Sequence, residues 1–120
     1  MRGMMMVVLV LVAACGCGTL LPGTACTALY AYGVSVTLTN ASTGAPISNA
    51  TLALTEGTYV ETMQLIAGGD YVGAGERAGT YTLTAAAPGF DPRTMADLVV
   101  LADVCHVQGV HIDVALTPVP

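Results

Sequence analysis

The chain has 120 residues, which leaves room for one domain. It carries a formal charge of −5, contains no lysine, and has Arg2, Arg77 and Arg93 as its only basic side chains besides two histidines. Without Arg2 the balance falls to about −6, which removes the electrostatic driving force for nucleic-acid binding and for adhesion to an anionic membrane surface.

Hydrophobic residues make up 54% of the chain, yet after residue 15 none of the apolar runs reaches the roughly 18 residues that a spanning helix needs. Residues 1–14 read as a targeting segment: Arg2, an apolar run over Met4–Val12, then small Ala13 and Ala14. Leu11–Cys15, LVAAC, resembles the bacterial lipobox, in which a signal peptidase cuts before a cysteine that carries diacylglycerol. The resemblance implies a lipidated Cys15 and anchoring in a bilayer of the cell envelope, the outer membrane where the host has one. Two alternatives stay open: an ordinary secretory signal cut after Ala14, and Cys17 as the acceptor.

Residues 15–32 read as the acceptor cysteine and a tether, because Gly16, Gly18, Pro22 and Gly23 interrupt any regular structure. At a flexible chain's scale this segment reaches about 20–25 Å. The two cysteines left over, Cys26 and Cys105, form an even pair in an exported chain and are expected to form a disulfide. A metal site at Cys105 and His106 is disfavoured, since neighbours on a strand point to opposite faces.

The domain expected over 33–118 is all-β. Val34, Val36 and Leu38 alternate with Ser35, Thr37 and Thr39 in a first strand, and STGAPIS over Ser42–Ser48 turns the chain. Thr51–Thr55 is the second strand, with Leu52 and Leu54 inward. Tyr59–Leu65 is the third, an edge strand on which Glu61 discourages aggregation. Tyr71–Ala74 is a short fourth. Gly79–Phe90, GTYTLTAAAPGF, is the clearest element and the one on which the rest is expected to pack: Tyr81, Leu83 and Ala85 point inward, the threonines outward, and Pro88-Gly89 stops the strand. Phe90, the sole phenylalanine, is expected to plug an open end. Thr94–Leu101 and Val107–Thr117 complete a seven-stranded antiparallel β-sandwich.

Candidate chemistry is sparse. His111 and Asp113 share a strand face, as an acid–base pair would require, whereas His106 and His111 fall on opposite faces. A small periplasmic metal-binding protein or hydrolase using His106, His111 and Asp113 is therefore the second reading. Asp70 and Glu76 form a weak candidate pair for calcium.

Thr43, Gly44 and Pro46, then Ala50, Thr51, Leu52 and Leu54, then Gly79, Tyr81 and Leu83, and finally Pro88, Gly89 and Phe90, form a pattern. It is similar to the carboxypeptidase regulatory-like domain, a transthyretin-like β-sandwich, over about residues 33–117. The resemblance implies a noncatalytic module, with no catalytic residue, no metal and no cofactor, whose partner is an envelope protein or a glycan. Hydroxyisourate hydrolases share the transthyretin fold but end in Tyr-Arg-Gly-Ser, where this chain has Leu116–Pro120, LTPVP.

Overall fold

The computed structural model describes Cys26 and residues 29–120. The leader, Cys15, Cys17 and most of the expected tether lie outside the described residues. Nine strands are found among the described residues: β1 (Tyr32–Asn40), β2 (Thr51–Glu56), β3 (Tyr59–Thr62), β4 (Gln64–Ala67), β5 (Asp70–Gly75), β6 (Gly79–Ala86), β7 (Arg93–Ala102), β8 (Val107–Gln108) and β9 (Val110–Leu116). They form a five-stranded sheet in the order β8-β7-β6-β2-β3 and a four-stranded sheet in the order β9-β1-β5-β4.

Alternation in the sequence becomes the two inner faces. Val34, Val36 and Leu38 of β1, Leu52 and Leu54 of β2, Tyr81, Leu83 and Ala85 of β6, and Val114 and Leu116 of β9 are all buried in one core cluster. β6 is the middle strand of its sheet, pairing with β2 through Leu54↔Leu83 and with β7 through Leu83↔Met95. A bulge in β7, where Asp97 takes φ 63°, shifts the register between Tyr81 and Leu83. The stretch Gly79–Ala86 is thus the keel of the larger sheet.

Seven alternating runs become nine strands because two of them change sheet. The run from Tyr59 pairs with β2 as far as Thr62, and after Met63 it pairs with β5 instead. Met63 is the pivot: its side chain is buried, and its N–H donates to Leu52 O at 2.8 Å. At the opposite flank, β8 pairs with β7, and one residue later β9 lies parallel to β1. Gly109 makes that step, since a Cβ there would stand 2.7 Å from Tyr32 O. Each flank of the sandwich is therefore crossed by a strand that belongs to both sheets, which shortens its free edges.

Glu61 has a different role from the one its position on an edge strand suggests. Its side chain turns inward between the sheets, where its carboxylate accepts the Ala74 N–H at 3.0 and 3.1 Å and the Tyr59 hydroxyl at 2.7 Å. Ala74, buried and held at φ 53°, thus has its amide satisfied by this contact from the other sheet. Glu61 is a cross-sheet tie.

The strands define two poles. At one lie the β1–β2 loop, the β6–β7 loop and the C-terminal residues, where Phe90 packs against the core and bridges to Pro118. There the Tyr71 hydroxyl donates to Ile47 O at 2.9 Å and accepts the Ala50 N–H at 3.1 Å, fastening the β1–β2 loop. At the other pole the chain enters β1, and the β2–β3, β5–β6 and β7–β8 turns come together. The Cys26–Cys105 disulfide lies at this second pole, with a Cα–Cα distance of 5.2 Å and a separation of 79 residues.

Candidate functional site

The disulfide pole gathers four of the ten charged residues described in this weakly charged chain, together with His106. The β2–β3 turn brings Glu56 and Tyr59, the β5–β6 turn brings Glu76 and Arg77, and the β7–β8 turn brings Asp103 and His106. The Arg77 guanidinium lies 3.6 Å from the centroid of the Tyr59 ring and donates to Glu56 Oε1 at 2.8 Å and to the Tyr81 hydroxyl at 2.9 Å. The Tyr81 hydroxyl in turn donates to Arg77 O at 2.8 Å. Glu56 also accepts the Thr80 N–H at 2.7 Å, and that bond first, then Arg77, holds its carboxyl below the usual value of 4.5. Arg77 is pushed further up by Tyr81 and Glu56.

A second group sits beside it. Glu76, at φ 51°, accepts the Ala31 N–H at 2.8 Å and meets His106 Nδ1 at 2.7 Å. Those two contacts, the Ala31 amide first, lower the Glu76 carboxyl. The Glu76 N–H donates back to Ala31 O at 2.8 Å, so the approach to β1 is pinned on both sides. Asp103 accepts the N–H groups of His106 at 2.9 Å and Cys105 at 2.8 Å, and these amides hold its carboxyl low. The Tyr30 ring covers Gly75, where any Cβ would collide with it, and stands edge-on to Tyr32 with centroids 5.2 Å apart.

Each ionised group here grips a backbone amide or an opposite charge on a neighbouring turn. Such an arrangement joins three turns and the chain entry into one rigid end. It leaves these groups occupied, whereas an acid or base poised for chemistry needs a reacting partner within reach.

The residues of the second sequence reading come apart. His106 belongs to the pole and turns to Glu76, while His111 and Asp113 lie on the outer face of β9. His111 Nε2 meets Asp113 Oδ1 at 3.1 Å and Thr37 Oγ1 at 3.2 Å, and its Nδ1 meets Ser35 Oγ at 2.9 Å. Ser, His and Asp in line suggest a nucleophile and its base. Ser35, however, lies mid-strand between β9 and β5, so its backbone is engaged in the sheet and offers no oxyanion donor. The side chains of His111 and Asp113 are 53% and 83% exposed, which puts the trio in open water. A structural row on a solvated sheet accounts for them.

Asp70 and Glu76 stand at opposite ends of β5, about 20 Å of extended chain apart, and cannot share a calcium ion. Asp70 instead accepts the Thr37 hydroxyl at 2.9 Å. Cys105 is held by Cys26 rather than paired with His106 as a metal ligand. Among the described residues, none of the groupings of three His, Cys, Asp or Glu side chains could hold a metal ion.

Sequence reasoning missed the cluster of Glu56, Tyr59, Glu61, Arg77 and Tyr81. A signal was present: with charged residues only 9% of the chain, Glu56 and Arg77 both fall at the turn ends that an antiparallel reading brings to one pole.

No curated protein matches the chain. The family model for the carboxypeptidase regulatory-like domain matches residues 33–117, from the start of β1 to just beyond β9. The two-sheet sandwich described above has the form which that family's noncatalytic fold requires. The chain therefore belongs to the carboxypeptidase regulatory-like domain family.

Proposed function

We propose that this chain is a lipid-anchored protein of the cell envelope, held at Cys15, whose β-sandwich is a noncatalytic structural or binding module. The anchor rests on LVAAC, Leu11–Cys15, at the end of an apolar leader. Two or more acyl chains on one cysteine give stable membrane attachment where a single chain is marginal. The observation that carries the noncatalytic part is the disulfide pole, whose carboxylates and arginine are spent on fixing one turn to the next. With the chain entering there, the loops of the opposite pole, including Ser42–Ser48 and Pro88–Arg93, are the ones presented to an envelope protein or glycan.

Metabolic labelling with a palmitate analogue tests the anchor. Wild type takes up the label and partitions into detergent; Cys15→Ser stays unlabelled and is either released or left as uncut precursor. Equal labelling of the two overturns the assignment to Cys15, and label lost only in Cys17→Ser moves the anchor to that residue.

A further inference from the structure

The disulfide pole carries apolar surface that neither the core nor the ionic ties use. Ten large apolar side chains are exposed among the described residues, and six of them (Leu29, Tyr30, Tyr32, Val99, Leu101 and Val104) lie at or next to this pole. Leu29, Tyr30 and Val104, at 75%, 63% and 79%, are with Val60 the most open of these ten. The opposite pole contributes Leu65 and Ile66, beside the turn into β5, and Val119, of which only Ile66 is more than half exposed. We infer that the disulfide pole rests on the lipid bilayer itself, with Leu29, Tyr30, Tyr32 and Val104 entering the headgroup layer.

This inference rests on the proposed anchor at Cys15 and adds a second contact to it. The connection decides the occupant. Eleven residue steps separate Cys15 from Cys26, and Cys26 is tied to Cys105 on the pole. Fully extended, that stretch spans at most about 40 Å, so an anchored domain is confined near the bilayer and this pole is the part joined to the anchor. A tyrosine has an apolar ring and a polar tip, which suits the boundary between acyl chains and water. Apolar contact with lipid gains about 25 cal/mol for each Å² removed from water.

Charge agrees with a zwitterionic surface and opposes an anionic one. The carboxylates that face this pole, Glu56, Glu76 and Asp103, are matched by Arg77, by His106 and by backbone amides. Glu61 is turned inward. Asp70, Asp91, Asp97 and Asp113 lie on other parts of the fold. Matched carboxylates approach phosphatidylethanolamine or phosphatidylcholine at small cost, while the residual negative charge is repelled by phosphatidylglycerol.

The chain contains no tryptophan, so single substitutions report position cleanly. Full-length protein with Tyr30→Trp, Val104→Trp or, at the opposite pole, Val119→Trp is reconstituted into phosphatidylethanolamine/phosphatidylcholine vesicles containing lipids brominated along the acyl chain. Tryptophan at 30 and 104 is expected to shift to shorter wavelength and to be quenched at least twofold more than at 119, with the difference reduced when phosphatidylglycerol is added. Equal quenching at all three positions overturns the inference, because the domain then turns freely at the end of its anchor. Val104→Trp changes an open turn residue and stays informative if Tyr30→Trp unfolds the pole. Intact mass separates the two levels of the argument. If the chain carries no acyl group, the anchor fails, and the same variants are titrated with excess vesicles: a shift at 30 and 104 alone still supports lipid contact by the pole, and no shift at any position overturns it.

Discussion

Breaking the Cys26–Cys105 bond tests how much of this small sandwich depends on one crosslink. The bond closes a loop of 79 residues that contains most of the two sheets. Loop-closure entropy for that length is about 4.5 kcal/mol at 25 °C, a large share of the roughly 5–15 kcal/mol typical of whole domains. The folded state loses little freedom in return. The segment leading from Cys26 is already held by the paired Ala31–Glu76 hydrogen bonds, both 2.8 Å, and by Tyr30 on Gly75. Most of the entropy is therefore removed from the unfolded chain, and at about 4–8 °C per kcal/mol the melting temperature should drop by more than about 10 °C on reduction. Circular dichroism melts with and without reductant measure this. Cys26→Ser and Cys105→Ser should each reproduce the loss, and the double variant should be no worse than either. A fall below about 3 °C would refute the entropic account. So would a double variant clearly less stable than both single ones, since the two thiols would then act independently.

Two further outcomes follow from the polar ties. Glu61→Ala strips the buried, positive-φ Ala74 amide of its acceptor and should cost about 1–3 kcal/mol in urea unfolding, while Glu61→Gln keeps an acceptor oxygen and should cost less; equal losses would show that the amide does not matter. Glu56, Glu76 and Asp103 all have carboxyls held below their ordinary values of 4.5, 4.5 and 3.8. Protons therefore bind the unfolded chain more tightly than the folded one, so stability should be level above those values and fall as pH drops through the depressed ones. Glu56→Gln should weaken that acid dependence, and an unchanged slope in pH-resolved melts would contradict the assignment.

Some elements were legible because they need only local information. A period of two over Gly79–Ala86 places Tyr81, Leu83 and Ala85 inward whatever the neighbouring strand, and the same holds for Val34, Val36 and Leu38. The cysteine pair was legible from counting, once a leader for export was expected. Period alone, however, says which side a residue faces and not which sheet it joins. Tyr59, Glu61 and Met63 alternate smoothly, and nothing in that pattern announces that the pairing passes from β2 to β5 at Met63. Gly109 reads as one more glycine until the approach of Tyr32 O shows why a side chain is excluded there.

The sequence by itself determined an acidic all-β sandwich of regulatory-like type, with its core rows and its crosslink, because burial pattern and turn chemistry are properties of neighbouring residues. Only the tertiary structure decided that Glu61 ties the sheets and that Glu56 and Arg77, 21 residues apart, meet over Tyr59 and Tyr81. It also turned His106 to Glu76 and gathered Leu29, Tyr30, Tyr32 and Val104 at one end. Such meetings depend on which turns share a pole, and strand order and register set that, since no single stretch of chain encodes either.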